Sequence, residues 1–274
     1  MSDDEPIRTS SIYFTGTIDQ SLEMFKDKPR WLIEGLIPSV GTVLLYGRFS
    51  LGKSPFGWAM TQSISEGHPF FGYHVSERGP ILWLELDEPL LVANERLAKL
   101  RPRPKDLILV GAIPFSILHP SEDDLEQLYR LNYNVQPKLV VVNTLRKIHT
   151  LDDKDSMTPS KIYGAFRRIF PDSVVLFIHH DRKQARDDKG NAIVGDEDFS
   201  GSQAWANDAT LGLHMTSVGN PRHRTIEVAV TKSQVSAVGE TLKLRLGDDG
   251  LTWTDMGSER IRVAFKELST DIGL

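Results

Sequence analysis

A chain of 274 residues, 40% hydrophobic, 25% charged and 8% aromatic, carries enough apolar content for one large α/β core or two small ones. Its near-average composition excludes disordered, collagen-like and low-complexity classes, and the absence of cysteine removes disulfides, thiolate nucleophiles and cysteine-based zinc sites. A formal net charge of −5 argues against a strongly basic, free-standing nucleic-acid binder, though not against a ring whose inner loops alone are basic. The opening Met1-Ser2-Asp3-Asp4-Glu5 is acidic with no apolar stretch behind it, and no apolar run approaches the roughly 18 residues of a membrane helix. The expectation is a soluble cytoplasmic protein with no membrane partner.

In chain order, residues 1–30 are polar and read as an N-terminal arm, with a short helix over Ile18 to Phe25 and a contact with a neighbouring subunit as its use. From there, short β-branched runs predict strands at Thr42–Tyr46, Ile81–Leu86, Leu107–Val110, Leu139–Val142 and Val174–Ile178. Helical spacing fills the intervals at Ser54–Ser65, Glu88–Leu100, Glu122–Leu131 and Thr158–Phe170. Near-continuous apolar strands separated by helices predict a mostly parallel central sheet covered by helices on both faces. After residue 209 the helices stop, and Leu211–Met215, Thr225–Thr231, Leu242–Leu246 and Leu251–Thr254 read as strands. Gly247-Asp248-Asp249-Gly250 is a hairpin signal between the last two, so an antiparallel C-terminal extension of the same sheet is predicted. The expected organisation is an arm over 1–30, an α/β domain over 31–257 and a tail over 258–274.

Gly47-Arg48-Phe49-Ser50-Leu51-Gly52-Lys53-Ser54 fits G-x-x-x-x-G-K-[ST], with a predicted strand directly before it and an amphipathic helix after it. The glycines let backbone N–H groups turn inward around phosphate oxygens, and the new helix adds its positive end. Lys53 supplies a point charge toward the β- and γ-phosphates, the Ser54 hydroxyl is placed to ligate Mg²⁺, and Pro55 falls in the first helical turn. ATP with Mg²⁺ is the implied ligand, held on residues 47–54.

In open α/β sheets the ligand lies at the carboxyl ends of the strands. The second strand exits into Asp87-Glu88-Pro89, where a carboxylate either orients the attacking water or caps the following helix. Leu139-Val140-Val141-Val142 ends in Asn143, where a P-loop protein normally carries an aspartate for Mg²⁺; Asn143 keeps a carbonyl acceptor without the charge, or is simply a turn residue. Val174-Val175-Leu176-Phe177-Ile178 ends in His179-His180-Asp181. One of these histidines is a candidate γ-phosphate sensor and one a buried structural residue. A metal site shared by all three side chains is disfavoured, since adjacent strand residues point to opposite faces.

The succession of the P-loop, Leu84-Glu85-Leu86-Asp87-Glu88-Pro89, Asn143-Thr144-Leu145-Arg146-Lys147-Ile148-His149, Phe177-Ile178-His179-His180-Asp181-Arg182-Lys183, Ser200-Gly201-Ser202 and Thr231-Lys232 resembles the RepA-like hexameric replicative helicases of plasmids and phages, within the RecA/DnaB-like P-loop ATPases. The matching landmarks run from Trp31 to about Lys232. That resemblance implies a RecA-like core, a homo-hexameric ring and single-stranded DNA as partner. It puts Asp87 at the catalytic-glutamate position, Asn143 at the second-motif aspartate and His180 near the γ-phosphate sensor. It sends Lys232 toward a neighbouring subunit's nucleotide and makes the stretch from Arg182 to Ser200 a channel loop. Arg182, Lys183, Arg186 and Lys189 are the DNA contacts there, interleaved with Asp181, Asp187, Asp188, Asp196, Glu197 and Asp198.

Three positions depart from the family pattern. Asp87 is a methylene shorter than glutamate, Asn143 is neutral, and Thr210 stands where the arginine finger aligns, with Arg222 and Arg224 the nearest substitutes. An arginine finger contributes roughly 10³–10⁵ in rate, so slow hydrolysis is expected, with Asn143→Asp raising it. The alternative is a nucleotide-gated DNA-binding or regulatory protein of the same fold.

Overall fold

The computed structural model describes residues 17–28, 30–111, 116–149, 157–180, 200–219, 225–235 and 241–257. Helix α1 (Ile18–Phe25) is closed at its N-terminus by a capping box, Thr17 accepting from the Gln20 N–H while the Gln20 side chain accepts from the Thr17 N–H. Its apolar residues find no cover among the described residues: Ile18 is 79% and Leu22 65% exposed. A small antiparallel pair, β1 (Trp31–Ile33) and β2 (Ile37–Pro38), follows around Gly35.

The main sheet is built from β3 (Gly41–Gly47), β4 (Ile81–Glu85), β5 (Leu107–Gly111), β6 (Leu139–Asn143), β7 (Val174–His180), β8 (Leu211–Val218), β9 (Thr225–Ser233), β10 (Thr241–Leu246) and β11 (Trp253–Asp255). Their spatial order is β11-β10-β9-β8-β3-β7-β6-β4-β5, parallel from β8 to β5 and antiparallel from β8 out to β11. The predicted parallel sheet and its antiparallel extension are both present. The helices are α2 (Lys53–Glu66), α3 (Leu90–Leu97), α4 (Glu122–Val135), α5 (Met157–Ile169) and α6 (Ser200–Asp208).

Strand alternation divides the core into two layers. On one face Val43, Leu45, Trp83, Val141 and Ile178 pack with Phe56, Met60 and Ile64 of α2 and with Leu32 and Ile33 of β1. On the other, Leu44, Leu82, Leu84, Val142 and Phe177 pack with Ile162, Tyr163 and Phe166 of α5 and with Trp205 of α6. Strands buried on both faces need apolar residues at every position, which is why they appear in the sequence as unbroken runs. From β3 the chain crosses to β4 on one side, and from β7 it crosses back to β8 on the other. The crevice at the carboxyl end of β3 therefore lies at a topological switch point, the place where such sheets bind ligands.

Five elements differ from expectation. Helix α3 starts at Leu90 rather than Glu88, because Pro89 sits at the N-cap in an extended conformation (φ −57°, ψ 141°). The β1–β2 pair and α6 are additional. Strand β11 begins at Trp253 rather than Leu251, because Asp249 Oδ1 accepts the N–H groups of Leu251 and Thr252 and holds both in the turn.

Candidate nucleotide site

Gly47 ends β3, the loop turns through Ser50 (φ 61°) and Gly52 (φ 85°), and Gly52 is the N-cap of α2, its carbonyl accepting the Phe56 N–H at 2.8 Å. Lys53 is 4% exposed, and its Nζ donates to the carbonyls of Gly47 at 2.8 Å and Arg48 at 2.7 Å. A buried ammonium needs acceptors, and the carbonyls of its own loop supply them.

Gly52 is required twice over. Its φ of 85° disfavours any side chain, and a Cβ there would lie 2.9 Å from Cζ2 of Trp253 and 3.0 Å from Cδ2 of Leu246. Gly52→Ala is therefore expected to strain the loop by about 1–3 kcal/mol, lowering both the ATP affinity and the melting temperature. Parallel titration and thermal melts check this, and an unchanged ATP affinity would count against the loop as the phosphate site.

The strand ends converge on this loop. The Ser54 hydroxyl donates to Asn143 Oδ1 at 3.3 Å, so the two candidate metal-side oxygens face each other. Asn143 closes β6 and pairs in register with Glu85, the last residue of β4. The Glu85 carboxylate, 2% exposed, accepts from Asn143 Nδ2 at 3.0 and 2.8 Å, from Trp83 Nε1 at 2.9 Å, and from the N–H groups of Asp87 at 3.0 Å and Glu88 at 3.3 Å. Nothing in the motif reading singled out Glu85. The signal available in the sequence is an acid inside an otherwise apolar strand.

Just beyond Glu85 the two candidate carboxylates diverge. Asp87 is exposed and lines a cleft of about 540 Å³ together with Ser50, Gly52, Lys53, Ser54 and His180. Glu88 pairs with Arg96 of α3 at 3.2 Å. Burial pushes the Glu88 carboxyl above its usual range, the Arg96 guanidinium opposing that shift. Leu246, Asp249 and Leu251 of the β10–β11 hairpin also line the cleft, with Lys99 beyond α3. An apolar groove along Leu125, Tyr129 and Tyr133 of α4 lies elsewhere, and its Arg130 is paired with Glu126 of the same helix.

The two histidines part as alternation requires. His179 is buried with its ring centroid 6.0 Å from that of Trp205, whereas His180 reaches the cleft and stacks on Phe49 of the loop at 4.1 Å. Among the described residues no three metal-ligating side chains cluster. Asp181 lies outside those residues, as do Arg182, Lys183, Arg186, Lys189, Arg222 and Arg224.

Lys232 on β9 donates to the carbonyls of Asn207 and Ala209 at the end of α6, and it is not among the cleft-lining side chains. Burial lowers its ammonium pKa, and the nearby Asp208 carboxylate opposes the shift. Thr210 is tied to β3 on both sides: its Oγ1 accepts the Thr42 N–H at 3.1 Å, and its own N–H donates to Thr42 Oγ1 at 3.2 Å.

A strand–loop–helix phosphate cradle at the switch point of a RecA-like sheet defines a P-loop nucleoside triphosphatase. A family model for the AAA domain (AAA_25) matches residues 9–186, and the chain belongs to that family. No curated protein matches it at the sequence level. Among solved structures, the ATPase domain of another protein superposes with a TM-score of 0.61 at 13% identity, over 89% of this chain and 100% of that one. A KaiC-like protein from the hyperthermophilic archaeon Pyrococcus horikoshii OT3 gives 0.56 at 13% identity, over 82% and 93%. At that identity the likeness is one of fold. No helix among the described residues is long and apolar enough to cross a membrane.

Proposed function

We propose that this chain is a ring-forming, cytoplasmic ATPase of the RepA/DnaB helicase type, a homo-hexamer acting on single-stranded DNA in replication. The observation that carries the reading is the convergence of Lys53, Ser54, Asp87 and His180 on one cleft, with Asn143 hydrogen-bonded to Ser54 behind it. The donor set suits a magnesium nucleotide, with a hydroxyl and an amide oxygen face to face and a buried carboxylate in hydrogen-bond contact with that amide. Mg²⁺, when bound, supplies charge neutralisation at the phosphates. Ser54 and Asn143 would hold it, while the N–H groups of residues 47–52 and the Lys53 ammonium bind and orient the triphosphate. Asp87 orients the attacking water within the cleft, and His180 reads the γ-phosphate from the end of β7.

In this reading Lys232, Arg222 and Arg224 serve the subunit interface, and the exposed apolar side of α1 packs on a neighbour. Arg182, Lys183, Arg186 and Lys189 carry the DNA contact. Turnover is slow, because Asp87 reaches less far than a glutamate and Thr210 is committed to β3. That commitment also favours a second reading, a nucleotide-gated DNA-binding or regulatory protein with little turnover. Steady-state ATP hydrolysis with and without single-stranded DNA, alongside native mass, separates the two. DNA-stimulated turnover by a hexamer supports the motor, tight ATP binding without turnover supports the regulator, and a monomer with ATP and Mg²⁺ at micromolar protein overturns the ring.

A further inference from the structure

We infer that Glu85 is the positioning residue of the nucleotide site, carrying on β4 the negative charge that β6 lacks at Asn143. This deepens the magnesium-nucleotide reading above and rests on it.

An amide side chain has one acceptor end and one donor end, and its orientation decides what it offers a cation. Both oxygens of Glu85 accept from Asn143 Nδ2, so the amide oxygen is turned to Ser54. A flipped amide would set Oδ1 against a carboxylate and turn N–H groups toward the metal side. Hydrogen bonds to an ionised group are the stronger kind, and a chain of them polarises its members. Carboxylate, amide and hydroxyl thus form a relay, Glu85 to Asn143 to Ser54, in which the charge on Glu85 raises the electron density on Asn143 Oδ1.

Glu85 is itself fixed. It is 2% exposed, and the Trp83 indole N–H bonds one of its oxygens at 2.9 Å. Its other oxygen accepts the N–H groups of Asp87 and Glu88. One carboxylate therefore orients the metal-side amide and also pins the turn that presents Asp87 to the cleft. A buried charge of this kind is retained only where it is satisfied, and the hydrogen bonds to Glu85 satisfy it.

The pairing reverses the expectation for Asn143→Asp. That substitution sets a second carboxylate within hydrogen-bond distance of the first, with no proton donor between them, so a gain in magnesium binding is not expected. Exchanging the pair is a different matter. In Glu85→Gln/Asn143→Asp the glutamine Nε2 donates to the aspartate from the place of the oxygen that faces Trp83, giving up that one bond while the other oxygen still holds the turn, and the charge returns to β6.

The test is a four-protein cycle: parent, Glu85→Gln, Asn143→Asp and the double exchange. ATP affinity is measured with Mg²⁺ and in EDTA, and Mn²⁺ binding to the ATP complex is followed by electron paramagnetic resonance. Partners that orient a ligand typically contribute about 10- to 100-fold to metal affinity. Glu85→Gln is expected to lose about that factor in Mg²⁺-dependent affinity and in Mn²⁺ binding, with its EDTA affinity kept. The double exchange is expected to recover both, and Asn143→Asp alone neither. If Glu85→Gln does not fold, failure of the folded double exchange to restore parental Mn²⁺ binding overturns the inference. A Glu85→Gln protein with the parent's metal dependence, or an Asn143→Asp protein that exceeds the parent, overturns it as well. A parent that binds no ATP overturns the nucleotide reading itself, whereas those outcomes leave it standing.

Discussion

Replacing Lys53 with alanine is expected to abolish ATP binding at concentrations that saturate the parent, with the fold retained. A cation about 4 Å from a phosphate oxygen, at the effective dielectric of a partly buried site, contributes about 4 kcal/mol, or roughly 10³ in affinity. Folding loses less. The Lys53 ammonium holds two carbonyls of its own loop, those of Gly47 and Arg48, and charged hydrogen bonds of that kind contribute about 1.5–3 kcal/mol each at most. Both hydrophobic layers lie on the faces of the sheet and do not depend on the Lys53 ammonium. Lys99→Ala is the matched control, since Lys99 lines the same cleft from beyond α3. Equilibrium ATP titration with a circular-dichroism melt decides the matter, and a Lys53→Ala protein that binds as the parent does removes the phosphate-loop assignment.

What the sequence disclosed follows from what each element buries. Strands β3, β4, β6 and β7 are covered on both faces, so they stand out as apolar runs, and the loop after β3 has a fixed residue pattern. The capping box of Thr17 and Gln20 is local, and α1 has the predicted bounds. The β1–β2 pair spans three and two residues, too short for any periodicity to register. Helix α6 reads Ser-Gly-Ser-Gln-Ala-Trp-Ala-Asn-Asp, with small and polar residues masking a segment that owes its place to Trp205 packing among Leu44, Tyr163 and Phe177. The contact of Lys232 with the end of α6 depends on the register of β8 with β9, which no local pattern encodes.

Glu85 and Asn143 are the instructive pair. Each is an oddity within its own strand, an acid in an apolar run and an amide where an acid belongs. They explain each other only once β4 and β6 are neighbours and Glu85 is opposite Asn143. Strand order is a tertiary fact, so the compensation was invisible along the chain although both halves of it were in view. The two histidines show the converse. Alternation alone separated His179 from His180, and the structure puts one beside Trp205 and the other on Phe49.

Asp87→Asn is expected to lower ATP turnover by about 10²- to 10⁴-fold, the usual contribution of a positioned acid–base group, and to leave ATP affinity within a few-fold of the parent. The asymmetry between Asp87 and Glu88 supports that choice. Asp87 lines the same cleft as Lys53 and Ser54, and its N–H is anchored on Glu85. Glu88 points to Arg96 at 3.2 Å, and burial raises its carboxyl pKa. Glu88→Gln should therefore change turnover by no more than a few-fold, losing only an ion pair of about 0.2–1 kcal/mol with a half-exposed arginine. Single-turnover hydrolysis at saturating ATP and Mg²⁺ measures both variants without interference from product release. Asp87→Glu adds a second axis: the longer side chain should speed the chemical step if reach is what limits it. If Glu88→Gln proves the dead variant and Asp87→Asn the indifferent one, the water-positioning role moves one residue along the turn, and the Arg96 pair becomes its control element.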